Sequence, residues 1–454
     1  MDDCAIASSG QEPNRKTNGA AAHLCLYKHA LESIFAHLGL SELGRVSVVC
    51  RDWFNAIESM RPIGASANIK QSAYLHSILN SHLTRHVSEI HFHVNSCPPN
   101  SQKLLLLANI IKRNKYLVAV DLRGIIIRAR DAIAIADAIT QSKSLVSVDL
   151  NYNHIGGVGA LAVAEAIKQS TSLRRLDLWG NAIGAIGASS IGEAIKLSKS
   201  LTYLNVGMNL IRDDGAVAVA EGIKQSTSLT DVSLSSNSIG DGGAIAIAEA
   251  IRQSKSLAIV ALSSNCFGLH GLTAIADAIK QSRLLVGVVL SGNDIGDDGA
   301  ISIAETIKQS KSLVTLDVGN NSIGVVGASA IAEATKQSKS LTNLQLWGNR
   351  IGDGGATAIA EAIKQSKSLA IVGLSDNGVK DHGAFALAEA IKQSTSLVTM
   401  NLRTNEISAV GASAISEAIK QSKSMLETVD LRHNGISSDG TAAMAKHSMV
   451  VLNF

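Results

Sequence analysis

The chain has 454 residues, 46% of them apolar and only 3% aromatic, with a formal net charge of +3. That balance excludes the strong basic or acidic excess that marks a nucleic-acid platform or a membrane-surface protein, and the scarcity of rings weighs against an ordinary aromatic-rich core. Average-size domains would number about three at this length, unless the chain is a repeat array with no single core to outgrow.

The first 24 residues are polar, include Pro13, Asn14, Arg15 and Lys16, and lack an apolar signal core. A disordered tail without a secretory signal is expected. Leu26 to Ile57 then reads LYKHALESIFAHLGLSELGRVSVVCRDWFNAI. Leu31, Ile34, Phe35 and Leu38 share one helical face, and Leu43, Val46, Val49, Cys50 and Trp53 continue at helical spacing after a turn at Gly39 to Ser41. By periodicity alone this is a small helical module over 25–62. Residues 63–88 form a connector, with Tyr74, Leu75, Ile78, Leu79 and Leu83 giving an amphipathic helical face that packs on the first repeat. The apolar run Leu104 to Ile111 is too short to span a bilayer. Cys4, Cys25, Cys50, Cys97 and Cys266 lie far apart without CxxC spacing, which favours free thiols in a reducing compartment.

From about residue 117 to the end the sequence repeats with a period of 28. In the unit TSLRRLDLWGNAIGAIGASSIGEAIKLS (Thr171 to Ser198), Leu173, Leu176 and Leu178 point to a core while Arg175 and Asp177 alternate to the other face, as in a strand. Asparagine follows at 153, 181, 209, 237, 265, 293, 321, 349, 377 and 405, then at 434, and is expected to turn the chain by bonding backbone groups of its own and neighbouring loops. Counting two irregular copies led by Val87 and Leu117, there are about thirteen units. The second glycine of IGxxG, from Gly159 to Gly440, is never replaced in the asparagine-bearing units, which implies either positive φ or close backbone approach. GAxAIAEAIKQS then reads as a helix. One unit cannot bury enough to fold alone, so neighbours must share their apolar faces.

These residues carry two resemblances. LxxLxLxxNxIGxxGAxAIAEAIKQS over 89–454 resembles the ribonuclease-inhibitor type of leucine-rich repeat. What this implies is an α/β, right-handed solenoid, a horseshoe with parallel strands on a concave face that binds another protein and helices on the convex face. The order Leu31, Ile34, Phe35, Leu38, Leu43, Val49, Cys50, Trp53 is similar to the F-box, with Tyr27 and His29 standing where that family has proline and an acidic residue. The resemblance implies that those eight residues dock on a Skp-type adaptor, and through it on a cullin. A GAxAIA repeat behind an F-box also resembles the GALA-type effectors of plant-pathogenic bacteria, which would place the chain in host cytoplasm.

The outer helix barely varies, with Glu followed three residues later by Lys or Arg, an ordinary solvated face. The strand positions four and two before the asparagine are expected to face solvent, and they differ from copy to copy. They carry Asp149, Asp177, Trp179, Trp347, Arg403 and Arg432, with Tyr152, Arg175, Tyr203 and Met208 beside them, and these ten residues are the candidate target-binding set. Trp179 and Trp347 are six strands apart, about 30 Å at ~4.8 Å per strand, suggesting contact patches at both ends of a hydroxylated middle.

No GxxxxGK[ST], HExxH or GxSxG motif occurs, and the early histidines are scattered too loosely for a metal site. No catalytic residue, metal or cofactor is expected. The sequence therefore reads as a non-enzymatic, cytoplasmic or nuclear target-recognition subunit of an SCF-type ubiquitin ligase, with no nucleic-acid or membrane partner and monomeric outside its complex. The alternative is a repeat scaffold or regulator, for example of a small GTPase or of immune signalling, with a vestigial F-box.

Overall fold

The computed structural model describes residues 65–69, 87–92, 101–436 and 451–453. The tail, the F-box-like stretch and Gly440 lie outside them, as does most of the connector. Fifteen strands form one parallel sheet in chain order. They begin with β1 (Ala65–Ile69) and β2 (Val87–Phe92), and continue as three-residue strands from β3 (Ala119–Asp121) to β14 (Thr428–Asp430) and β15 (Val451–Asn453). A helix separates each pair of strands from β2 to β14, from α1 (Ser101–Arg113) and α2 (Ala129–Gln141) to α12 (Ala409–Lys420). Strand β1 falls within the stretch read as a connecting helix, and it pairs Ala65 with Val87, outside the 28-residue register that reveals the other strands. At the other end β15 pairs with β14, setting Val451, Leu452 and Asn453 beside Thr428, Val429 and Asp430.

The alternation seen in the sequence becomes two ladders. Leu173, Leu176, Leu178, Ile183, Ala188, Ile191 and Ala194 and their counterparts are almost wholly buried, and they join one continuous core from Leu104 to Leu431. Strands sit ~4.8 Å apart whereas packed helices need about 8 to 10 Å between axes, so the sheet must line the inner, concave side. The glycine choice is settled by packing. A Cβ at Gly187 would stand 2.8 Å from Ala160 Cβ and 3.1 Å from Ile183 Cβ, with no positive φ, so this column exists for close approach of successive repeats.

Asparagine does what its position suggested. Asn181 Nδ2 donates to the carbonyls of Leu150 (2.9 Å) and Leu178 (3.0 Å), and Asn209 Oδ1 accepts the N–H of Asn181 at 2.9 Å and of Ile183 at 3.3 Å. The side chain is fully buried, and the pattern continues to Asn434, binding each turn to the one before. At Asn377 the oxygen is left buried without a partner. A second ladder comes from KQSxSL. Ser170 Oγ accepts the Leu173 N–H at 3.1 Å, and Ser172 Oγ donates to the Ser142 carbonyl of the preceding repeat at 3.2 Å.

Helix starts take two forms, set by the preceding repeat. Where that repeat has aspartate four residues after its asparagine, the carboxylate caps the next helix: Asp241 Oδ1 accepts from the N–H of Gly268 (2.8 Å) and of Gly271 (2.9 Å). Asp213, Asp297, Asp353 and Asp381 act alike, and all five residues they cap are extended. From Gly156 onward, where the aspartate is missing, the helix starts one residue earlier on a positive-φ residue, namely Gly156, Gly184, Arg212, Gly296 or Gly352, whereas α2 follows an extended Arg128 without a side-chain cap. That residue's N–H turns instead to the following repeat's asparagine carbonyl, as Gly184 does to Asn209 at 2.9 Å.

Two stability tests follow. Asn209→Ala orphans buried groups on two repeats, each worth about 1 to 3 kcal/mol, and should lower the urea midpoint far more than Glu221→Ala on the solvated helix face. Ala185→Asp supplies the missing cap and frees Arg212 from its positive φ (54°), so it should stabilise by roughly 1 kcal/mol in the same assay.

Candidate protein-binding surface

Opposite the buried leucines, each strand presents the residues six and four before its asparagine, with the residue two before at the strand end. Parallel in-register pairing sets like positions side by side, Asp121 beside Asp149 beside Asp177, then Arg175 beside Tyr203. Crowding has a consequence that alternation alone misses. Asp177 is only 8% exposed, so it does not face open solvent as expected but lies sunk between neighbouring strands.

The N-terminal cluster is tied together by charge. Arg123 clamps Asp121 (Nη2 to Oδ2 2.7 Å, Nε to Oδ1 3.0 Å) and reaches Asp149 Oδ2 at 3.3 Å. Burial pushes the Asp149 carboxyl up to about 6, with the charges of Asp177 and Asp121 adding to it, while the Asn151 N–H and Arg123 oppose the rise. The Arg175 guanidinium sits 3.5 Å from the centroid of the Tyr203 ring. Tyr152 and Met208, both at positive φ in the turns, are 61% and 52% exposed. Asp149, Tyr152, Arg175, Asp177, Trp179, Tyr203 and Met208 thus lie on the three adjacent strands β4 (Ser147–Asp149), β5 (Arg175–Asp177) and β6 (Tyr203–Asn205) and the turns after them.

Each tryptophan lies over a glycine. A Cβ at Gly207, in the next repeat, would strike the six-membered ring of Trp179, and one at Gly319, in the preceding repeat, would strike the indole of Trp347. The two rings therefore lean toward each other. Between them Ser291 Oγ bonds Ser263 Oγ (2.9 Å), and Ser235 Oγ accepts the Ser263 N–H (3.1 Å). Trp347 Nε1 reaches Asp317 Oδ2 at 3.5 Å, whereas Trp179 Nε1 is buried without a partner. Farther on, Arg432 is held by Asp430 (Nε to Oδ1 2.9 Å) and Arg403 Nη2 meets His433 Nε2 at 3.0 Å. The set foreseen is thus split into one compact group, Trp347 with Asp317, and a far pair of arginines of which Arg432 already has its counter-ion.

Sequence reasoning passed over Arg123, Asp121, Asp317 and the two glycines. Gly207 and Gly319 were legible as strand-end glycines next to a tryptophan in the adjoining copy. Asp121 and Arg123 sit in the irregular copy led by Leu117, with Ile125 in the asparagine place, outside the asparagine-bearing units whose strand positions vary from copy to copy.

Family models match the chain at two kinds of segment: an F-box domain at residues 24–63, and Leucine Rich repeat at 141–164, 169–192, 197–220, 225–248, 281–304, 309–332, 337–360, 393–416 and 422–445. The chain is an F-box/leucine-rich-repeat protein. Among the eleven asparagine-bearing repeats, the two that the Leucine Rich repeat model skips carry Phe267 and Val379 where others have isoleucine, yet both residues are as buried as the rest of the ladder. No curated protein matches the sequence. Among solved structures the chain is similar to leiomodin-1 actin-binding site 2 (23% identity, 29% of this chain and 75% of that one, TM-score 0.27). It is also similar to the Caenorhabditis elegans tropomodulin C-terminal domain (17% identity, 33% and 92% covered, TM-score 0.29) and to a chain of a TLR13-ssRNA13 complex (15% identity, 86% and 54% covered, TM-score 0.47). No helix among the described residues is long and apolar enough to cross a membrane, and no group of three metal-ligating side chains occurs among them.

The raised Asp149 carboxyl makes a pH prediction. Its ordinary value is 3.8, so between about pH 4 and 6 the folded state alone keeps the proton, and stability falls as pH rises through that window. Asp149→Asn lacks this decline and should gain on wild type from pH 4 to 6 in denaturant titrations, with no further change above.

Proposed function

We propose that this protein is a target-recognition subunit of an SCF-type cullin ubiquitin ligase. The observation that carries the reading is a single chain in which an F-box at 24–63 precedes an array of leucine-rich repeats. Leu31, Ile34, Phe35, Leu38, Leu43, Val49, Cys50 and Trp53 would supply the apolar face for a Skp-type adaptor. The concave sheet would hold the target, because it alone combines rigid backbone, aromatic and arginine anchors, and residues that differ between otherwise near-identical copies. The convex helices offer little of that kind. Their Glu and Lys or Arg side chains pair within one helix, as Glu361 does with Lys364, and both are partly exposed.

Such a role needs no catalytic group on this chain, only two binding surfaces. The adaptor side is tested by co-purifying the chain with a Skp-type adaptor and cullin, comparing wild type with a Phe35→Ala, Trp53→Ala double variant. Recovery of the adaptor with wild type and its loss with the variant is expected. Failure of wild type to retain the adaptor would overturn the ligase assignment.

A further inference from the structure

Resting on the concave face as the recognition surface, the structure says what shape of partner it takes. The columns nearest the strand ends read, from Trp179 to Trp347, tryptophan, glycine, three serines, glycine, tryptophan. Each ring covers the glycine on its inner side, so the indoles stand as two facing ridges above the strands of Gly207 and Gly319. Between them the two rows nearest the strand ends carry small side chains, Ser233, Ala261 and Val289 in one and Ser235, Ser263 and Ser291 in the next, while the row at the strand starts adds Asp231, the exposed Ile259 and Gly287. The ridge-bearing glycines are four strand steps apart, about 19 Å at ~4.8 Å per step. That trough admits one α-helix, which is ~10 to 12 Å across with its side chains, and not two.

Direction follows from curvature. The sheet curves along the order of its strands, so the axis of its concavity runs parallel to them, and a rod lying along the strands touches several at once. An extended peptide is disfavoured on the same floor. All strands between β2 and β14 already have neighbours on both sides, the Ser291 hydroxyl donates to Ser263 Oγ and the Ser235 hydroxyl accepts the Ser263 N–H, so the floor offers an incoming backbone no ladder to join. A helix brings its backbone bonds with it. Charge adds a preference, since the half-buried carboxylates of Asp231 and Asp317 line the trough, while the guanidinium of Arg175 stands at its edge over Tyr203.

We infer that the target is engaged through one amphipathic α-helix, laid along the strands between Trp179 and Trp347, with a small or apolar face on the serine floor and basic residues on its flanks. Two display libraries of equal diversity test this against the full chain: a 20-residue helical scaffold randomised on one face, and a disordered 20-residue peptide. The helical library is expected to yield binders enriched in Lys and Arg on their flanks. Those binders should weaken at least tenfold on Trp179→Ala or Trp347→Ala and be lost on Ser263→Phe. Phe at 263 also displaces the serine bonds, so Ser375→Phe, beyond the trough, is the matched control and should bind as wild type. Circular dichroism melts of each variant verify the fold. Binders drawn only from the disordered library, yet lost on Ser263→Phe, would overturn the helix while leaving the concave face as the recognition surface. Binders indifferent to all three trough changes, or no binders from either library, would overturn both.

Discussion

Everything in the solenoid depends on how one repeat satisfies the polar backbone of the next. A strand of three residues leaves a turn whose N–H and carbonyl groups are sealed beneath the sheet, where each unmade bond costs about 1 to 3 kcal/mol. The buried asparagine meets that demand from both sides at once, giving two hydrogens to carbonyls of two repeats and accepting two N–H groups from the copy before it. Repeats so joined cannot fold as separate beads. Their stability is a property of the row.

The serine and aspartate contacts extend the same logic to the two ends of each helix. Serine takes the amides after the helix and ties the loop to the preceding repeat, while aspartate reaches forward to the amides at the next helix start. Because that reach changes where the helix begins, a side chain in one copy decides the backbone conformation of its neighbour. Arg212 holds a left-handed conformation that suits glycine because Ala185 offers no carboxylate. Rigidity is therefore built between repeats more than within them, and this is what allows widely separated residues such as Trp179 and Trp347 to keep a fixed spacing.

A fixed frame frees the strand residues on the open side to vary. The chain uses that freedom unevenly, gathering acids, Arg123 and the Arg175 and Tyr203 pair at one end, small hydroxylated residues in the middle, and an indole at each boundary. Coupled to an F-box on the same chain, the proposed recognition face would present a bound protein in one orientation. An orienting role gains from the same stiffness that the ladders supply.

The fold was legible in the sequence because a 28-residue period repeats the same local demands: leucines at strand spacing, asparagine at the turn, glycine where backbones meet, and alanine on the helix face toward the sheet. Periodicity also pointed to the columns that vary, and hence to Asp149, Trp179 and Trp347. It could not show β1, whose pairing breaks the period, nor decide whether the repeated glycine served conformation or proximity. Contacts between repeats were beyond it altogether. That Asp177 is sunk between strands, that Arg432 is already paired, and that each tryptophan covers a glycine in the adjoining copy all depend on side chains brought within 5 Å by stacking at ~4.8 Å. Sequence records what each repeat carries. Only the stacked structure decides which neighbour each residue meets, because those neighbours lie 28 residues away along the chain and one strand away in space.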